Sequence, residues 1–214
     1  VVESVVGAVG DEVPVLAGVG EPDTRRTVRN AVAAVEAGAD GLAVITPYYY
    51  PLDPDAAVDH DRRVTEAVDQ PVYVYHIPSR TGNVLSRESF AEIAALDGVC
   101  GFKDSSGDVA WLGQVVATHP GLSALGGSDA LLFANFEVGC TGVVSAVANV
   151  FPELVVELYD AYDAGDEERA RDLQRVAYGV RDAMKKGPYL SGVKAALDLV
   201  GFDAGPLRDP LRDM

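Results

Sequence analysis

The chain has 214 residues, of which 48% are hydrophobic and 23% charged; this allows one sizeable core and excludes a disordered chain or a disulfide-stabilised mini-protein. A net charge of -16 argues against nucleic acid or an anionic membrane as a partner. The apolar runs are broken well short of the ~18 residues of a membrane span, and the two cysteines, in apolar contexts, favour a reducing, cytoplasmic location.

The acidity has a particular composition. The 33 acidic residues oppose 17 basic ones, Asp outnumbers Glu, and Arg outnumbers Lys. This bias is typical of proteins from salt-saturated cytoplasms, although an ordinary acidic protein would also fit. In either case it concerns solubility rather than chemistry.

Short β-branched runs alternate with helical stretches along the chain. Strands are predicted at 13–18, 41–46, 71–76, 99–103, 122–125 and 142–145. Helices are predicted at 24–36, 55–68, after Ser86, at 108–118, after Ser128, and from Pro152 onward. The strands read as continuous apolar runs, which predicts parallel strands buried on both faces and joined by crossover helices.

This α/β order fits a doubly wound sheet or a TIM (β/α)₈ barrel, and the absence of GxGxxG after the first strand favours the barrel. A barrel typically needs ~250 residues and eight strands. We therefore expect that the first two strands are missing from this chain, which starts without Met on what reads as the tail of a helix. Residues 1–150 would form six βα units, and 151–214 a helical region that continues the same domain.

Barrel active sites lie at the carboxyl ends of the strands, where Lys103 ends the fourth predicted strand. Lysine is seldom buried without cause. An amine that loses hydration in a barrel mouth is more often neutral, and a neutral amine attacks ketones to form a Schiff base. A rim salt bridge between Lys103 and Asp104 is the competing interpretation.

Two further side chains are candidates near this lysine. Tyr75 lies about one βα unit before Lys103, so the two should project from neighbouring strands into one pocket, where a phenol can transfer protons; alternatively it only packs. Arg80 offers a guanidinium fork suited to a carboxylate, or is a surface arginine. We expect no metal and no cofactor, because the histidines are scattered. His76 should point to the opposite face from Tyr75 and pack there, and Asp104 and Asp129 are interpreted as helix caps.

The motifs at these positions resemble the dihydrodipicolinate synthase and N-acetylneuraminate lyase family of pyruvate-dependent class I lyases. They occur in the family's order over nearly the whole chain, at residues 46–49, 75–82, 101–104, 127–129 and 142–150.

The resemblance implies a barrel with extra C-terminal helices and specific roles for five residues. Lys103 would form the pyruvate imine and Tyr75 would relay protons. Tyr49 would reach into a neighbouring subunit's site, which implies a homo-oligomer, usually a dimer of dimers. Arg80 would bind the carboxylate of aspartate semialdehyde, and Val144 would line the pyruvate pocket through its backbone.

Departures from the family pattern leave the second substrate open. The Gly-Thr-Thr-Gly-Glu loop is absent, His76 stands where synthases commonly carry Asn, and residues 126–129 and 187–194 also differ. Dihydrodipicolinate synthase, an enzyme of lysine biosynthesis, is the preferred prediction. A 2-keto-3-deoxy sugar-acid aldolase or an N-acetylneuraminate lyase-like aldolase is the alternative, and a catalytically silent barrel with a binding or regulatory role is an alternative of another class.

Overall fold

The computed structural model of the protein describes residues 1–10 and 12–213. The chain forms two compact units. One comprises the described residues of 1–125 together with 139–141, and the other comprises 126–138 and 142–213. The predicted division of a single domain into 1–150 and 151–214 stays a prediction.

Within the described residues, six strands form one sheet. They are β1 (Leu16–Gly18), β2 (Gly41–Ile45), β3 (Val72–His76), β4 (Val99–Asp104), β5 (Ser123–Gly126) and β6 (Gly142–Val143). The strands follow one another in chain order across the sheet, and the pairs from β1 to β4 are parallel. The predicted α/β fold with a parallel sheet is confirmed. Closure into an eight-stranded barrel with two further strands remains a prediction.

Helices connect the strands and form the C-terminal part. They are α1 (Val2–Val9), α2 (Thr24–Glu36), α3 (Pro54–Thr65), α4 (Pro78–Thr81), α5 (Arg87–Ala94), α6 (Val109–Thr118), α7 (Leu132–Glu137), α8 (Pro152–Asp163), α9 (Glu167–Met184) and α10 (Tyr189–Leu199). None of the described helices combines the length and apolar character that a membrane crossing requires.

Side-chain caps explain where several of these helices begin. Asp23, Asp53, Ser86 and Asp108 each accept a hydrogen bond from the backbone N–H three residues later, which satisfies one of the free donors of a first helical turn. The predicted cap at Ser86 is therefore confirmed. The short helix α4 was not predicted.

The first unit buries one face of its strands more completely than the other. In β3, Val72, Val74 and His76 are buried, whereas Tyr73 and Tyr75 are half-buried. The prediction that the strands are buried on both faces is therefore wrong for β3, because its second face carries Tyr75. That face belongs to the candidate site.

Aromatic side chains pack against the face of β4 that is opposite Lys103. Phe90 of α5 lies with its ring centroid 4.9 Å from that of Phe102 and 5.6 Å from that of Trp111. Gly101 lets β4 lie close to its neighbours, because an added Cβ would approach the Ser123 carbonyl oxygen to 2.5 Å. The strand that carries Lys103 is thus closely packed at Gly101 and Phe102.

The second unit has its own core between its helices. Its fully buried members include Leu132, Val147, Leu158, Ala170 and Ala177. All but Val147 lie on the buried faces of α7, α8 and α9, and burial of an apolar face is the usual way such helices gain stability in water.

Candidate active site

Lys103 and Tyr75 lie side by side on neighbouring strands. The parallel register pairs Tyr75 of β3 with Lys103 of β4. The lysine Nζ lies 4.0 Å from the centroid of the tyrosine ring, and both residues are half-buried. The structure thus brings together the two residues that the sequence predicted to share a pocket, and their catalytic roles remain predictions.

Ser105 is a third member of this group, and sequence reasoning missed it. Its hydroxyl donates to the Tyr75 hydroxyl oxygen over 3.5 Å, and its N–H donates to the His76 carbonyl oxygen over 2.8 Å. Because side chains alternate along an extended chain, residue 105 faces the same side as residue 103. The spacing of two residues from Lys103 is the signal in the sequence that could have identified Ser105.

A buried polar pair lies one residue further along both strands. His76 Nδ1 lies 2.8 Å from Asp104 Oδ1, and the His76 ring packs against Trp111 with centroids 4.6 Å apart and planes tilted by 36°. His76 is therefore packed, as the sequence predicted. The interpretation of Asp104 as a helix cap is wrong, since Asp108 caps α6.

Arg80 lies in the last turn of α4 and is exposed. Its guanidinium has no hydrogen-bond or ion-pair partner among the described residues. It is thus available to an anionic ligand, although the sheet does not place it in direct contact with Lys103 or Tyr75.

Asn83 joins the loops that follow β2 and β3, another contact that the sequence did not reveal. Its Nδ2 donates to the carbonyl oxygens of Pro47 and Tyr50, over 2.8 and 3.0 Å, and its Oδ1 accepts from the Leu52 N–H over 2.9 Å. Three hydrogen bonds from one side chain to backbone groups hold the loop that carries Tyr49.

Tyr49 extends outward from that loop. Its side chain is 82% exposed, and its ring meets that of Tyr50 edge-on with centroids 4.9 Å apart. Its φ of 86° is uncommon for a residue with a side chain and costs of order 1–3 kcal/mol. An exposed aromatic residue on a strained backbone is a candidate contact residue for another chain.

Val144 belongs to the second unit. It is 44% exposed, and its N–H donates to the Gly126 carbonyl oxygen over 2.8 Å. This hydrogen bond fits the end of β6, while its predicted place in a pyruvate pocket stays a prediction.

Asp129 is the centre of a hydrogen-bond network in the second unit. Its Oδ1 accepts from the Ser145 hydroxyl over 2.6 Å, and its Oδ2 accepts from the Tyr189 hydroxyl over 2.9 Å. Burial and then the Asp129 charge raise the pKa of Tyr189 to about 12. The interpretation of Asp129 as a cap at its own βα turn is wrong, because its carboxylate instead joins segments that are distant in sequence.

The remaining candidates for chemistry are less suited to it. Burial and then the Asp104 charge raise the pKa of the Cys140 thiol to about 11, so this thiol is protonated at neutral pH. In the described part of the chain, no three side chains of metal-ligating type stand close enough together to hold an ion.

Comparison with known proteins places this geometry in context. The model of the dihydrodipicolinate synthetase family matches residues 1–214. An uncharacterized DapA-like lyase of Halobacterium salinarum is 64% identical over 100% of this chain and 70% of its own. The 4-hydroxy-tetrahydrodipicolinate synthase 1 of Streptomyces coelicolor is 42% identical over 99% of this chain and 70% of its own. The crystal structure of chloride-inhibited dihydrodipicolinate synthase from Acinetobacter baumannii, complexed with pyruvate, matches 100% of this chain and 74% of that one with a TM-score of 0.94 and 28% identity.

Proposed function

Because the chain belongs to the dihydrodipicolinate synthetase family, we propose that it is a pyruvate-dependent lyase that works through a Schiff base on Lys103. The observation that carries this proposal is the contact between Lys103 and Tyr75 at the ends of two adjacent parallel strands. The similar synthase crystallised with pyruvate supports the choice of the first substrate.

The proposed reaction uses the two side chains in sequence. The Lys103 amine attacks the ketone carbon of pyruvate and forms a carbinolamine, which loses water to give the imine. Tyr75 supplies the proton that leaves with the hydroxyl group as water, and its phenolate then accepts one proton from the methyl carbon of the imine, which gives the enamine that attacks the aldehyde. No metal or cofactor takes part in this scheme.

Covalent trapping tests the Schiff base. Treating the full-length protein with pyruvate and borohydride should reduce the imine and leave one carboxyethyl group, derived from pyruvate, on the peptide that carries Lys103. Lys185, Lys186 and Lys194 are internal controls; the Lys194 Nζ already donates to three backbone carbonyl oxygens. Label on one of these instead, or pyruvate binding without any label, would overturn the assignment. Binding without label would favour a silent barrel with a binding or regulatory role.

Aspartate semialdehyde is the acceptor that we favour. Arg80 is exposed, without an ion-pair partner among the described residues, and a free guanidinium binds a carboxylate well. The Streptomyces coelicolor synthase, at 42% identity, supports the same choice. Condensation of pyruvate with this aldehyde would make the protein a 4-hydroxy-tetrahydrodipicolinate synthase of lysine biosynthesis.

A 2-keto-3-deoxy sugar-acid aldolase is the second candidate. It is favoured by the departures from the synthase pattern at His76, where synthases commonly carry Asn, and at residues 126–129 and 187–194. An N-acetylneuraminate lyase-like aldolase would use the same imine. These enzymes differ from the synthase in what lies at the far end of the second substrate.

Arg80→Ala distinguishes the two candidates. For aspartate semialdehyde the change should remove a charge-assisted pair worth about 1.5–3 kcal/mol, or roughly 10- to 150-fold in kcat/KM. Imine formation with pyruvate should change little. Wild type and variant are assayed with aspartate semialdehyde and with 2-keto-3-deoxygluconate. A wild type that cleaves the sugar acid efficiently and ignores the semialdehyde would refute the synthase.

Assembly is part of the same proposal. We place the enzyme in the cytoplasm as a dimer of dimers, in which Tyr49 reaches a neighbouring subunit's site. The exposure of Tyr49 and its strained backbone support a contact with another chain.

Val144 would meet pyruvate through its backbone.

A further inference from the structure

A buried histidine and aspartate lie directly behind the Lys103 and Tyr75 pair. The register that pairs Tyr75 with Lys103 also pairs His76 with Asp104. Successive side chains of a strand point to opposite faces. His76 and Asp104, which are 1% and 4% exposed, therefore occupy the face that a substrate on Lys103 does not reach.

The hydrogen bonds of the His76 ring indicate which of its nitrogens carries a hydrogen. The Leu85 N–H donates to His76 Nε2 over 3.3 Å, so the ring carries its proton on Nδ1. That Nδ1–H donates to Asp104 Oδ1 over 2.8 Å. The second carboxylate oxygen, Oδ2, accepts from the Ser106 hydroxyl over 2.9 Å and from its N–H over 3.3 Å. Both oxygens of a buried carboxylate are thus satisfied.

These contacts fix both chain neighbours of Ser105, namely Asp104 and Ser106. Ser105 follows Asp104 directly and precedes Ser106, and its own N–H donates to the His76 carbonyl oxygen. Its hydroxyl in turn donates to the Tyr75 hydroxyl oxygen. The buried pair is therefore connected to the phenol of Tyr75 through Ser105.

We propose that His76 and Asp104 are positioning residues, which act through Ser105 on the Tyr75 hydroxyl. This inference rests on the proposed Schiff-base function, in which that hydroxyl transfers protons. A hydrogen bond from Ser105 orients the phenolic oxygen, leaving its proton free to point towards the substrate. Displacing Ser105 by about 1 Å is enough to cost up to roughly 100-fold in rate.

Two substitutions of His76 separate its contacts. In His76→Asn, the side-chain amide nitrogen takes the place of Nδ1 and can still donate to Asp104. In His76→Gln, the longer side chain reaches towards the Leu85 N–H but offers Asp104 no donor at the same place. We expect His76→Asn to keep kcat within about 3-fold and His76→Gln to lower it about 10- to 100-fold.

Combination with Tyr75→Phe tests whether the effect passes through Tyr75. If it does, His76→Gln and Ser105→Ala should each lower the rate of borohydride trapping by about 10-fold or more when Tyr75 is present. Neither should lower the rate in the Tyr75→Phe background, because no hydroxyl remains there to be oriented. A purely structural role would lower the rate by the same factor in both backgrounds, and that result would overturn the proposal. Thermal unfolding of each variant is measured alongside.

Ser105→Ala keeps the test decisive if His76→Gln does not fold, because Ser105 is only half-buried. Additivity of Ser105→Ala with Tyr75→Phe would by itself refute the inference. A wild type that traps no pyruvate on Lys103 would refute the proposed function instead. The two failures are therefore distinguishable.

Discussion

Tyr75 uses the two parts of its side chain for two different contacts. The face of its ring holds the Lys103 amine, and its hydroxyl oxygen accepts a hydrogen bond from Ser105. Contact with the face of the ring restricts where the lysine Nζ can lie. The ring can therefore place the lysine while the hydroxyl remains available for proton transfer.

Tyr75→Phe separates these contributions, because it retains the ring and removes only the hydroxyl. We expect kcat to fall about 10²- to 10⁴-fold, the usual contribution of a positioned acid or base, while borohydride still traps pyruvate on Lys103, more slowly. Tyr73→Phe is the matched control, since Tyr73 is half-buried on the same face of β3 and should keep its kcat. An unchanged kcat in Tyr75→Phe would reduce Tyr75 to a packing residue.

At the scale of single elements, α3 carries two adjacent buried groups of opposite character. Burial lowers the pKa of His60 to about 4, although the nearby Asp23 and Asp59 charges oppose the shift. Burial raises the pKa of Asp61 to about 8. His60 Nδ1 bonds the Thr24 hydroxyl of α2, whereas His60 Nε2 and Asp61 Oδ1 find no partner in the described part of the chain. Both side chains are therefore neutral at pH 6 in the folded protein.

The two groups affect stability in opposite directions. The pKa of Asp61 is raised from 3.8. Its contribution to the free energy of unfolding is therefore complete below pH 3.8 and is lost as pH rises towards 8. His60 has a pKa lowered from 6.5, so its contribution is present above that value and is lost as pH falls towards 4. Between about pH 4 and 6.5 the two groups change the free energy of unfolding with pH by equal and opposite amounts. Above pH 6.5 only Asp61 changes it.

We therefore expect the free energy of unfolding to fall by about 2 kcal/mol between pH 6.5 and 8 through Asp61. Asp61→Asn should remove this decrease, whereas Asp55→Asn, an exposed position on the same helix, should retain it. Denaturant unfolding of the three proteins at pH 5, 6.5 and 8 provides the comparison. If Asp61→Asn lost stability with pH as steeply as wild type does, another group would be responsible.

At the scale of the whole molecule, acidic side chains outnumber basic ones and repel one another. The net charge is -16, and ion pairs such as Arg26–Asp23, Arg63–Asp59 and Arg171–Glu167 are exposed contacts within one helix or its cap. Such pairs contribute little each. They do not offset the excess of carboxylates, which opposes the compact state.

Salt should therefore stabilise the protein. We expect the Tm to rise as KCl is increased from about 0.1 M, and most of the rise to be complete near 1 M, where the Debye length is about 3 Å. Thermal unfolding monitored by circular dichroism gives the curve. A Tm that does not depend on KCl would contradict the interpretation of the composition as an adaptation to high salt.

The sequence by itself determined the order of the strands and of the helices other than α4, the parallel sheet and the proximity of Tyr75 to Lys103. These features depend on local patterns. Apolar runs, caps such as Ser86, and a spacing of one βα unit between two reactive side chains are all legible along the chain. The family motifs added the proposed roles, because they mark the strand ends at which such sites lie.

Only the tertiary structure decided which polar groups pair. The bond between His76 and Asp104 joins residues 28 apart, and that between Asp129 and Tyr189 joins residues 60 apart. Both aspartates stand where a helix cap was expected, and a capping carboxylate has the same local sequence as one that bonds a distant side chain. The difference arises from strand register and side-chain rotamers, which bring donors to within about 3 Å and which no short stretch of sequence encodes.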